Sequence, residues 1–118
     1  MEMTTQTAIA GKLDEIQGAI GITGAEIAQI LRTTPETVSR WRVGKSTPRQ
    51  KALEHLLLLD WLANELSELY DTQGARIWLY SHQPMLEGER PVDLISRGKN
   101  GADRVLAVIN QLKDSAFS

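Results

Sequence analysis

From Thr5 to about Ala19 the apolar residues Ile9, Leu13, Ile16 and Ile20 recur in steps of four, three and four. That is the stripe of a helix with one face turned to a core. Gly18, Gly21 and Gly24 loosen the chain that follows, so the helix is expected to end near position 20. Residues 1–4 are expected to fray. Between Ile22 and Arg49 the pattern contracts into two brief stretches, Ile27, Ala28 and Leu31, then Val38 and Trp41. Each has a start signal. Thr23 and Glu26 make an S/T-x-x-E capping box, with Ile22 and Ile27 at the staple positions. Thr34 caps the second stretch, and Pro35 falls in its first turn, where a missing N–H costs nothing. The two starts lie 11 residues apart, which leaves room for one short helix and a turn. This is the spacing of a helix-turn-helix.

Gly44 is placed to close the second helix, and Pro48 opens a long one predicted to reach Tyr70. In it Leu53, Leu56 and Leu57 point one way, while Leu58, Trp61, Leu62, Ala63 and Leu66 extend around the rest. A helix apolar over most of its circumference is buried on two sides. One side is expected to close the helix pair, and the other to meet the C-terminal region or a second copy of the chain. The joint is placed near Asn64–Glu68, dividing the chain into 1–66 and 67–118. Beyond Tyr70 the elements shorten: a helix at about 73–80, a turn through 81–84, a helical turn opening at Pro91 and a loop at 98–101. A last helix at about 102–113 turns Ala102, Val105, Val108 or Ile109, and Leu112 inward. Trp78 and Leu79 are the expected core of this half, and Trp41, Trp61 and Trp78 are all expected to pack. With no strand-like alternation, the predicted fold class is all-α. An N-terminal helix-turn-helix domain is joined by the long helix to a small helical domain.

Charge changes the picture. The net charge of −2 looks wrong for a nucleic-acid binder until it is divided. Residues 32–51 hold Arg32, Arg40, Arg42, Lys45, Arg49 and Lys51 against Glu36 alone, a net +5, and the remainder carries −7. Nucleic acid responds to the local field. The second short helix points Glu36, Thr37, Ser39, Arg40 and Arg42 outward, groups that reach base edges and phosphates. With the cap residue Thr34 and the phosphate-contacting candidates Lys45, Ser46 and Arg49, these form the predicted DNA-binding set. Chemistry narrows in the other direction. The chain has no cysteine, hence no disulfide framework and no thiolate chemistry. His55 and His82 have no carboxylate partner at ligand spacing, so no enzyme, metal site or cofactor is predicted. Glu54, Glu65 and Glu68 form a solvated face, of which Glu65 and Glu68 are placed to meet a basic partner. The N-terminal MEMTTQTAIAG lacks the pattern of a signal peptide. The longest apolar run, Leu56–Leu59, is far short of a membrane span, and the expectation is a cytoplasmic protein.

The N-terminal half resembles the Xre family of DNA-binding domains. Ala28, Val38, Trp41 and Gly44 match its pattern of Ala, a turn, Val or Ile, then Trp and Gly. Arg32 stands where that family usually has a turn glycine, which implies a non-glycine residue in a strained turn or an altered turn. Gly24 stands where a phosphate-contacting glutamine is common. Residues 74–118 resemble the toxin-binding domain of Xre/MbcA/ParS-type antitoxins, which partner RES-domain toxins. The resemblance is carried by Ala75, Trp78 and Leu79; Pro84 and Leu86; Gly88, Pro91, Asp93, Leu94 and Ile95; Val105, Ile109 and Phe117. His82-Gln83-Pro84 replaces the family's Pro-Asn turn, and a glycine common before the terminal aromatic is missing. The resemblance implies an antitoxin that binds an NAD-degrading toxin and blocks its active-site cleft with its C-terminal end. It implies toxin-binding roles for Trp78, Leu86, Pro91, Asp114, Ser115, Ala116, Phe117 and Ser118. In that reading Phe117 is the anchor, and Asp114 and the Ser118 carboxylate occupy the place of the NAD pyrophosphate. In the alternative, Phe117 folds back on the last helix.

Two functions follow from these readings. One is an antitoxin that also represses its own operon, with a RES-domain toxin, operator DNA, a second copy of itself and a higher toxin–antitoxin hetero-oligomer as partners. The other is a stand-alone dimeric repressor of the Xre type. A dimer is expected in both, since one helix-turn-helix makes too few contacts to select a site. The outer face of the long helix and the last helix are the surfaces expected to form it.

Overall fold

The computed structural model describes residues 5–117, with side chains from Ala8 onward. The expectations for residues 1–4 and for Ser118 lie outside the described residues. The elements are α1 (Thr5–Ile20), α2 (Gly24–Ile30), α3 (Pro35–Val43), α4 (Gln50–Ser67) and α5 (Thr72–Tyr80). A single 3-10 turn (Pro84–Leu86), α6 (Pro91–Ser96) and α7 (Lys99–Phe117) complete the described chain. It is all-α.

The local signals act as physics requires. Thr23 accepts from the Glu26 N–H at 3.1 Å, and the Glu26 carboxylate accepts from the Thr23 N–H at 2.9 Å, so the capping box satisfies two orphan donors of α2. Thr34 caps α3 by accepting from Thr37 N–H at 3.1 Å. Between the two helices Arg32 adopts φ +59, the strained, left-handed form of the turn. The Thr33 N–H reaches back to Ala28 O at 2.9 Å and the Arg32 N–H to Gln29 O at 3.2 Å, the paired bonds of a Schellman close. A non-glycine residue there costs roughly 1–2 kcal/mol, which the rest of the fold offsets.

Three boundaries differ from the sequence expectation. The long helix runs Gln50–Ser67 and not Pro48–Tyr70, because Arg49 is extended (ψ 164) and Glu68 caps the other end. The expected loop at 98–101 is only Gly98, at φ +113; Gly101 already lies inside α7, against the backbone of α6. The last helix continues past Lys113 to Phe117, since Asp114–Phe117 contains neither glycine nor proline to stop it.

The buried apolar residues form one cluster extending from Ile9 to Ile109. α1 packs on α3, α4 and α5, α4 on α7, and α2 on both α3 and α6, so the core runs continuously across position 66/67. Leu56, Leu59, Leu62, Ala63 and Leu66 are the buried side of α4. The expectation of a packed Trp61 is corrected: it is 49% exposed and Leu57 is 45% exposed, side by side one helical turn apart. Its indole N–H is spent on Glu65 at 3.2 Å. Trp78 does pack, stacked on Tyr70 at 6.5 Å between ring centroids.

Polar contacts tie the first and last parts of the chain. Arg76 on α5 grips Glu26 with both guanidinium ends, at 2.7 and 2.8 Å, and donates to Gly21 O at 3.0 Å. Thr72 donates to Gly18 O at 2.7 Å. The α1 carbonyl end, which has no cation in its own last turn, is thus supplied from α5. The Arg76 hydrogen bonds and the cap N–H hold the Glu26 carboxyl down to about 2, against the opposing effect of burial. Burial first, then the neighbouring Glu26 carboxylate, pushes Tyr80 up to about 12. Arg76 and Arg90 lie over its ring at 5.0 and 5.7 Å.

A Cβ added at Gly101 would lie 2.0 Å from Leu94 O, whereas one at Gly11 meets nothing within 4 Å. In denaturant titrations Gly11→Ala should stabilise by about 0.5–1 kcal/mol, and Gly101→Ala should destabilise by about 1–3 kcal/mol despite its better helix propensity. Because the folded Glu26 titrates near 2 and the unfolded one near 4.5, its contribution is complete above about pH 4.5 and lost as pH falls toward 2. Glu26→Gln keeps the size and the cap, so it should be less stable than the parent at pH 7. The gap in unfolding midpoint should close between pH 4.5 and 2.

Candidate functional site

The cationic surface rises from the end of α3 and the loop after it. The loop begins at Gly44, whose φ of +82 turns the chain out of α3. Arg40, Lys45 and Arg49 are exposed and carry no ion pair among the described residues. Glu36 and Ser39 are exposed beside them, and Thr37 is half-buried. The Thr34 and Thr37 hydroxyls lie 2.8 Å apart, so the cap residue is already committed within α3. Arg42 corrects the outward set. Its guanidinium turns back onto α1, donating to Asp14 Oδ1 and Gln17 Oε1. Position explains this: Arg42 is one residue from buried Trp41, on the edge of α3 nearest α1, where an acceptor pair is available.

The second candidate surface is split by the structure. Trp78 and Leu86 are 8% and 2% exposed, and Pro91 is buried at the start of α6. They cannot reach a partner directly; their packing positions α5, the 3-10 turn and α6. Asp114, Ser115, Ala116 and Phe117 are exposed on the last turn of α7, and Phe117 is 67% exposed. Phe117 therefore does not fold back on its own helix. Asp114 and Phe117 stand three residues apart, the spacing that puts two side chains on one helical face. One turn before Phe117, Lys113 is held by Glu65 of α4 and by Glu68 at its C-cap, which raises its ammonium above the ordinary value. The basic partner expected for those two glutamates is thus internal.

Sequence reasoning missed other exposed apolar groups, Ile77 at 58% within α5 and Met85 at 53% within the 3-10 turn, for which short elements give too little periodicity to assign a face. His55, whose place in the long helix beside Leu56 allowed either a surface or a joint role, is a joint residue, its Nε2 2.8 Å from Ile95 O. Among the described residues no group of His, Asp and Glu could hold a metal ion, and no helix is long and apolar enough to cross a membrane.

No protein-family model matches the chain. The mycobacterial cidal antitoxin MbcA of Mycobacterium bovis (strain ATCC BAA-935 / AF2122/97) is 31% identical over 105 residues, covering 86% of this chain and 91% of that protein. The MbcA of Mycobacterium tuberculosis matches equally. A probable mycobacterial cidal antitoxin of M. tuberculosis, Rv3188, is 27% identical over 84% of this chain and 85% of its own length. Among solved structures, the crystal structure of the M. tuberculosis MbcT-MbcA toxin-antitoxin complex contains a chain of the same fold. The TM-score is 0.78 at 26% identity, covering 99% of this chain and all of that one.

The geometry separates two neighbouring arginines by what they hold. Arg42→Ala should lower stability by about 1 kcal/mol through loss of the α1–α3 contact. Arg40→Ala should leave the thermal midpoint of the purified protein unchanged.

Proposed function

Because this chain belongs to the family of the cidal antitoxin MbcA, we propose that it binds and neutralises a partner toxin while repressing its own operon. The single observation that carries the reading is the end-to-end match to a chain solved in a toxin–antitoxin complex. The proposed toxin is a RES-domain protein that degrades NAD, as the resemblance of residues 74–118 implies. Neutralisation is assigned to the last turn of α7. There Phe117 offers an aromatic anchor of the kind that dominates interface energy. Asp114 on the same face offers a carboxylate to cations that would otherwise hold a pyrophosphate.

Repression is assigned to the helix-turn-helix formed by α2 and α3. Arg40, Lys45 and Arg49 are the exposed cations, with Thr34, Glu36, Thr37 and Ser39 along the same edge. Phosphate contacts by the loop would set register, and α3 would read base edges. Arg42 acts here by fixing α3 on α1. Dimerisation, which doubles those contacts, is assigned to the half-exposed Leu57 and Trp61 on α4. The division at 66/67 is then one of task between two ends of a single core.

Coexpression with the adjacent reading frame, scored by growth and by complex mass, tests the reading. Deleting residues 115–118 should abolish protection from the toxin and leave operator binding intact; protection by the truncated chain would sink the α7 assignment. Arg40→Ala should weaken operator binding by about 1–3 kcal/mol and leave toxin inhibition untouched. A chain that binds its operator yet forms no complex with its neighbour's product is a stand-alone repressor.

A further inference from the structure

A cleft of about 770 Å³ opens between the turn that ends α2, the first turns of α4 and the junction of α6 with α7. Its floor is apolar, made by Leu31, Ala52 and Leu58. Five cations stand around it: Arg32, Arg49, Lys51, Arg97 and Lys99, with Glu54 the one carboxylate of the lining. Glu54 is engaged by the Gln50 amide at 3.3 Å. Arg97 is paired with Glu89 at 2.8 Å and Lys99 with Asp103 at 3.0 Å. Arg32, Arg49 and Lys51 carry no ion pair among the described residues. The His55–Ile95 hydrogen bond holds the α4 wall to the α6 wall.

One sign of charge around a concave, low-dielectric floor focuses the field and attracts an anion. An inorganic anion would leave Ala52 and Leu58 uncovered, and a DNA backbone lying across the rim offers them no apolar group. The volume falls in the range of small-molecule sites, about 300–1,000 Å³, which pair a mostly apolar lining with a few convergent polar groups. We propose that this cleft binds a compact anion with a flat apolar body, of the nucleoside phosphate class. The base covers Ala52 and Leu58, with the buried Leu31 beneath them, and the phosphates meet the cationic rim. The rim is contributed by α2 and α4 on one side and by the α6–α7 junction on the other, so a bound nucleotide bridges the two ends of the molecule. The assignment does not rest on toxin binding or on operator binding, although Arg49 of its rim is also one of the cations assigned to operator phosphates.

Calorimetric titration of the full chain with ATP at low salt provides the test. The expected result is saturable one-to-one binding, weakened about ten-fold by Lys99→Gln and further by Arg97→Gln/Lys99→Gln. Inorganic pyrophosphate, which leaves the floor uncovered, should bind about ten-fold more weakly than ATP. Ala52→Phe should fill the floor and remove ATP binding. If that variant fails to fold, Lys99→Gln carries the test alone, since the Lys99 side chain is 80% exposed. No saturation up to millimolar ATP, pyrophosphate binding as tight as ATP, or indifference to Lys99→Gln overturns the proposal. Loss of duplex DNA affinity in Arg97→Gln/Lys99→Gln, without ATP binding by the parent, would make the cleft a phosphate-backbone contact and the nucleotide assignment wrong.

Discussion

The two-pronged grip of Arg76 on Glu26 is the contact on which the arrangement of the chain depends. Glu26 accepts from its own helix cap and from two guanidinium nitrogens, so local order at α2 and long-range order between α2 and α5 share one carboxylate. A bidentate arginine pair has fixed geometry as well as charge, and apolar packing alone supplies no such direction. Arg76 spends its remaining reach on Gly21 O, where the chain leaves α1. Three elements are set against one another by a single side chain, whose guanidinium also lies over the Tyr80 ring at 5.0 Å.

That constraint explains why the molecule is not two beads on a string. α1 and α4 pack along each other, Lys12 reaches the buried Asp60 at 3.1 Å, and the core runs on into α5, α6 and α7. Surfaces at opposite ends of such a body are held in fixed relation without a linker to relax it. A ligand that moves one end relative to the other has to work against the core.

Much of the first half was legible because its signals are local. Caps, staple, Pro35 and Gly44 act within a few residues, and the structure places each where its chemistry requires. The second half was less legible because its decisive contacts are not local. Nothing in the string Thr72–Tyr80 announces that Arg76 will meet a residue fifty positions earlier. Nothing near Lys113 announces Glu65 and Glu68. Trp61 deceived for a related reason: helical periodicity says which residues share a face, not whether another element covers it. Trp78, Leu86 and Pro91 deceived differently, since a pattern shared with a binding domain marks the residues that shape a surface as readily as those that touch a partner. Arg42 followed the same logic on α3, where an outward guess ignored a helix packed alongside.

The last turn of α7 shows what an ordered end changes. A free four-residue tail would have to be fixed on binding, at a cost of about 1–2 kcal/mol per residue in backbone entropy alone. Here Asp114–Phe117 is already helical, one turn beyond the Lys113 clamp on α4, so less of that cost remains to be met at an interface. The same clamp restricts direction: Phe117 and Asp114 project from a helix seated against α4, so the proposed partner would meet them at the angle α7 dictates. A missing glycine before Phe117, which from the sequence looked like lost flexibility, is then the condition that lets the helix run to its end and hold the aromatic ring out in water.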